Sequence, residues 1–139
     1  MSVKTRRPAT FEDLRRKPPR TKDVILAVPD SDGNVIEYIF TMRAIGSKAY
    51  DVLVSVYPPT AEQKKEAMTY DPDKFGPALI AACSVTPSLT PNEAKELWES
   101  DAWSRGEVMA LFVAAVEVNS KGLDVPFTET GSDMTQSLP

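Results

Sequence analysis

Asp23-Val-Ile-Leu-Ala-Val-Pro29, Asp30-Ser-Asp-Gly-Asn34 and Val35-Ile-Glu-Tyr-Ile-Phe-Thr41 follow one another in the chain, and their reading decides the fold. Two runs rich in β-branched and aromatic residues flank a cluster of turn formers. Gly33 can take the positive φ that such a turn needs. The spacing predicts a β-hairpin. In the second run, alternation puts Val35, Glu37 and Ile39 on one side and Ile36, Tyr38 and Phe40 on the other. The second set is continuously apolar and is expected to face a core. An isolated hairpin is not stable in water, so helices must cover that face.

Downstream the hydrophobic period changes from two to between three and four. From Met42 onward, Ile45, Ala49, Tyr50, Leu53, Val54 and Tyr57 follow an amphipathic helix that Pro58-Pro59 ends, with Gly46 a weak point inside it. Thr60 and Gln63 hold the capping-box positions of a short polar helix reaching about Met68. Asp73 is expected to cap a helix over residues 75–85. Thr90, Pro91 and Glu93 take the N-cap, N1 and N3 positions of the clearest helix start, running to about Glu99. Ser104 and Glu107 form a second box, opening a helix from Arg105 to Asn119 that Lys121-Gly122 closes. Upstream, Thr10 can cap a short turn through Arg16. The fold class expected is mainly α with an N-terminal β-hairpin (α+β). It comprises a basic flexible arm (1–22), a hairpin-plus-helical domain (23–121) and a flexible C-terminal tail (122–139).

Composition bounds the function. The chain has 139 residues, 42% of them hydrophobic and 26% charged, which fits one domain with a real core rather than a disordered polymer. It has no histidine and one cysteine, which removes Ser-His-Asp and Cys-His nucleophiles, His-ligated metals, an intrachain disulfide and Cys clusters. No apolar run approaches the roughly 18 residues of a membrane span, so none is expected. The net charge of −4 hides a split. Residues 1–22 carry eight cations against two carboxylates, or +6, and the remainder eight against eighteen, or −10. Such an arm could serve solubility, touch an acidic protein surface (another copy included), or bind nucleic acid. With Phe11 its one aromatic, it offers no stacking platform for single strands, and nucleic acid is the least favoured of the three.

Candidates for chemistry fail in turn. Counted from Asp30, a calcium loop would need Gly at position 6 and Glu at position 12, where the sequence has Val35 and Thr41. Glu93, Glu96 and Glu99 read as a solvated helix face, and Asp71 and Asp73 as turn and cap. The six glycines form no phosphate-binding array. Cys83 reads as a buried small hydrophobe. No catalytic residue, cofactor or metal is expected, and the chain is not expected to be an enzyme. The unusual feature is apolar excess: in Val108–Val118 ten of eleven residues are hydrophobic, Glu117 being the exception, and Pro77–Cys83 is apolar on every face. A surface helix needs one apolar stripe. Both segments are therefore central core, or core plus an interface. Trp98 and Trp103 suit a core lock or an interface anchor.

The run from Phe75-Gly-Pro-Ala-Leu-Ile-Ala-Ala-Cys83 through Thr90-Pro-Asn-Glu93 and Leu97-Trp98, then Trp103-Ser-Arg-Gly-Glu107 and Leu111-Phe-Val-Ala-Ala-Val-Glu-Val-Asn119, resembles the tail assembly chaperones of long-tailed bacteriophages of actinobacteria. The hairpin with Phe40-Thr-Met-Arg-Ala-Ile45 and Ala49-Tyr50 resembles the family's start. The likeness covers about residues 23–119 and lies in the order and spacing of segments, and it leaves out the arm and the tail. It implies a non-catalytic role: binding the tape measure protein, keeping its hydrophobic helices soluble, and helping recruit tail tube subunits through a longer frameshifted form. It further implies action in the host cell cytoplasm, absence from the mature virion, and self-association. This chain would be the shorter form. A chaperone for an apolar helical client needs exposed apolar surface. The residues expected to supply it are Leu79, Ile80, Trp98, Trp103, Val108, Leu111, Phe112, Ala115 and Val116. The rival readings are a structural virion protein of the head–tail connector or tail, and a nucleic-acid-binding regulator using residues 1–22.

Overall fold

The computed structural model describes residues 4–120. Among them six helices accompany a three-stranded antiparallel sheet of order β1-β2-β3, the small α+β class expected. The hairpin is β1 (Thr21–Pro29) with β2 (Val35–Arg43), paired without interruption from Thr21↔Arg43 to Pro29↔Val35. Its turn is closed by Asp30, whose N–H donates to the Asn34 carbonyl at 2.8 Å. The Asp30 carboxylate accepts from the N–H groups of Asp32 and Asn34, both at 2.9 Å. Gly33 sits at φ 86°, where a side chain would be strained.

The alternation in β2 holds. Phe40 and Met42 are buried, while Val35, Glu37 and Ile39 are exposed. The inward set is sealed only at the hairpin's base: Ile36 is half-buried and Tyr38 exposed, because the strands run past the helices that cover them. Met42 belongs to the strand and not to the next helix, since its register continues opposite Lys22. Helix α2 accordingly starts later, at Ser47–Val56, and Gly46 is its N-cap at φ 95° instead of an interior flaw.

Helix α3 (Ala61–Lys65) has the Thr60–Gln63 capping box expected. Helix α4 (Pro72–Cys83) is capped by Asp71, not Asp73. The reason is geometric: Pro72 suits N1, where no N–H is needed, and this puts the cap one residue before it. Asp71 is buried, accepting from the Asp73 N–H and the Gln63 amide, both at 3.1 Å, so it ties α3 to α4. The helix expected to reach residue 85 stops at Cys83. Ser84–Thr86 forms β3, which pairs with β2 at Met42↔Ser84 and Thr41↔Thr86. Pro87 disfavours helix at Thr86, and the residues before it add to the sheet. Helix α5 (Pro91–Glu99) carries the Thr90–Glu93 box. Helix α6 (Arg105–Ser120) opens on reciprocal Ser104–Glu107 bonds of 2.8 and 3.1 Å.

Helix α6 lies across the inner face of the hairpin and packs on its other side against α4, which also meets α2 and α5. Phe75, Leu79, Leu111, Ala115 and Met42 fill the centre. Phe75 meets Phe112 and Tyr50 edge-on, with ring centroids 6.1 and 5.8 Å apart, and Trp98 meets Phe112 edge-on at 6.1 Å. Close approach of α4 and α5 depends on Gly76: a Cβ there would fall 2.6–2.8 Å from carbons of the Trp98 indole. Asn119 ties the last described turn of α6 to its neighbours. Its Oδ1 accepts from the Ile45 N–H at 2.9 Å, and its amide donates to the Ala115 carbonyl at 2.7 Å and to Cys83 Sγ at 3.2 Å.

Preceding the sheet, α1 (Phe11–Arg16) has a Thr10–Asp13 capping box, and none of its residues is buried. The Lys121-Gly122 stop of the last helix and the tail expected over 122–139 lie outside the described residues.

Candidate interaction surface

The nine residues expected to meet a partner fall in two groups. Leu79, Ile80, Val108, Leu111, Phe112 and Ala115 are buried inside the chain, which corrects the expectation that they present a surface. The physical reason is the layering. The hairpin covers one side of α6, α4 covers the other, and α5 closes over Phe112 through Trp98, so even this small domain covers most of the apolar surface of both helices. Trp98, Trp103 and Val116 are half-buried and packed against the same core, with Trp103 edge-on to Phe40 at 6.4 Å. The two tryptophans act here as core locks. On α6, Val113 and Glu117 face outward, and Glu117 pairs with Lys22 of β1 at 3.5 Å.

Apolar area is left exposed elsewhere. On the outer face of the hairpin Ile25 is 60% exposed, Ile39 59% and Val35 68%. Ile25 and Ile39 are direct cross-strand partners, and Ala27 and Val35 extend the patch toward the turn. Carboxylates flank it: Asp23, which accepts from the Thr41 hydroxyl at 2.9 Å, and Glu37, paired across to Ala27. Residues 23–42 hold four carboxylates and no lysine or arginine. Arg43 stands at the base of this face. The sequence carried the signal, because the parity that sends Phe40 inward sends Ile39 and Val35 outward, and Ile25 is the matching position on β1.

Among the described residues no group of three or more His, Cys, Asp or Glu is placed to hold a metal. A concavity of about 270 Å³ between α2 and the end of α6 is lined by Tyr50, Asp51 and Asn119 among others. It falls just below the usual size of a small-molecule pocket, and the Asn119 amide is already committed. Burial pushes the Tyr50 hydroxyl up, helped by the neighbouring Tyr70. Burial also pushes the Cys83 thiol up, against the opposing hydrogen bond from Asn119. Cys83 is therefore a protonated, inaccessible thiol. Among the described residues no helix is long and apolar enough to cross a membrane. No protein-family model, curated protein or solved structure matches the chain.

Proposed function

We propose that this chain is a non-catalytic assembly chaperone of a long-tailed bacteriophage, which binds the tape measure protein and keeps its apolar helices in solution. Two things support this reading: the family-like order of segments across residues 23–119, and an apolar sheet face left uncovered beside a sealed core. The observation that carries it is the cross-strand pair Ile25–Ile39, standing outward between Asp23 and Glu37. That face suits an apolar helix with cationic flanks, because it combines buriable area with fixed negative charge. The chain acts in the host cytoplasm and is absent from the finished virion, while a longer frameshifted form recruits tail tube subunits.

Co-expression with the tape measure protein tests this. The client is expected in the soluble fraction, co-purifying with the chain, and Ile25→Lys with Ile39→Lys is expected to abolish capture without unfolding the chain. A client that stays insoluble or purifies alone defeats the reading. Retention of the chain in purified virions, detected by mass spectrometry, would assign it instead to the head–tail connector or tail.

A further inference from the structure

We propose that the N-terminal arm of one copy docks on the outer hairpin face of a second copy, with Phe11 and Leu14 against Ile25, Ile39 and Val35. Helix α1 is organised by its own polar groups. Its capping box is complete, Arg16 pairs with Glu12 at 3.1 Å, and Arg7 pairs with Asp13 at 2.8 Å. A helix of six residues is nonetheless far below the length that holds in water alone. Its two apolar side chains, one turn apart on the same side, are 73% and 61% exposed. This is half of an amphipathic contact.

The other half is the hairpin face, and charge selects it. Residues 4–20 carry seven cations against two carboxylates, whereas residues 23–42 carry four carboxylates and no cation. The arm's apolar pair thus meets an apolar patch, and its cations meet Asp23, Glu37 and the acidic turn. The docked face belongs to another copy because of how the arm leaves its own. The Arg20 carbonyl accepts from the Ala44 N–H at 2.9 Å, pinning the exit at the hairpin's base. Lys17 caps α1 in extended geometry and Pro18-Pro19 follow. Consecutive prolines make a semi-rigid spacer of about 3 Å per residue, so a reversal onto the chain's own outer face would have to be made within residues 17–20, half of them proline. Reciprocal exchange gives a closed pair, and one-way docking gives a longer series.

The contact is tested without any client, by sedimentation of the full chain at low salt. Wild-type protein is expected to associate, and the association to weaken as salt rises, since the Debye length shrinks from about 10 Å at 0.1 M to about 3 Å at 1 M. Phe11→Asp and Ile39→Lys change exposed side chains, so both variants should keep the wild-type circular dichroism and sediment as monomers. Mixed in equal amounts they should pair, because the first keeps an intact face and the second an intact arm. A wild type that stays monomeric, variants that associate like wild type, or a mixture that remains monomeric would each overturn the docking. The client of the chaperone reading takes the same face, so arm and client exclude each other there, and excess client is expected to release monomers from the associated chain; client bound to chain that stays associated would overturn the arm's place on this face. Client capture with no self-association sinks this inference alone, and self-association with no client capture sinks the chaperone reading alone.

Discussion

Helix α6 and the hairpin's outer face make an instructive pair. The helix is the most apolar stretch of the chain, with ten hydrophobic residues in eleven over Val108–Val118, yet most of them are covered. The outer face of β2 is broken by Glu37 and Thr41 and looks unremarkable in sequence, yet Ile39 and Val35 stand in solvent with Ile25 beside them. The difference lies in neighbours, not in composition. A helix between a sheet and another helix keeps only a narrow free strip, here Val113 and Glu117, whereas a hairpin with helices on one face has a whole second face. Apolarity thus locates buried area, and only topology says which area is left for a partner.

Charging the helix should break the molecule, while charging the sheet should break only its contacts. Phe112→Asp puts a carboxylate among Phe75 and Trp98 with no counter-ion. An unpaired buried charge costs several kcal/mol, comparable to the whole stability of a small domain, so circular dichroism should show loss of the fold. Gly76→Ala should be next in size. The added methyl overlaps the Trp98 ring, and overpacking of this kind costs about 1–3 kcal/mol, read as a lowered urea midpoint. A wild-type midpoint would mean that α5 is free to move off α4. Asn119→Ala should cost a similar or smaller amount, about 1–3 kcal/mol, because it strands the Ile45 N–H in a half-buried site. Ile39→Lys should change stability by less than about 0.5 kcal/mol while removing client capture. A large loss of stability there would show that the face is covered within its own chain, and the contrast with α6 would collapse.

The sequence-to-structure relation follows the same division. Capping boxes at Thr60, Thr90 and Ser104, and the Thr10 cap, were legible because each is a local exchange of hydrogen bonds within four residues. The hairpin was legible from its alternation and from Gly33. The third strand was not, since Ser84–Thr86 follows an apolar helix directly and becomes a strand only through pairing with β2, some forty residues away. The Asp71 cap was missed for a related reason: Asp71 and Asp73 are equivalent as cap formers locally, and Pro72 decides between them. At the candidate surface, the segments with apolar excess were legible. Their enclosure was not, because it depends on three elements meeting around α6, and the exposed face went unread because its alternation was followed only inward.

The smallest expected effect lies at Cys83, where the interior of the comparison can be probed by pH alone. Burial holds the thiol pKa above its ordinary value in the folded chain, so the folded state keeps a proton that the unfolded state releases at about pH 8.5. Above that pH the unfolded chain binds fewer protons than the native one, and stability falls with each further step in pH. The contribution is fully present below the unfolded pKa and is lost as pH rises through the folded one. Tyr50, raised in the same direction, adds its own decline at higher pH. Urea midpoints of wild type should therefore drop across this alkaline window, and Cys83→Ala should show a shallower drop from a lower starting value, since it also removes a partner of Asn119. An identical slope in the two proteins would mean that the thiol meets solvent and that the seal between α4 and α6 is looser than the packing of Leu79, Leu111 and Ala115 indicates.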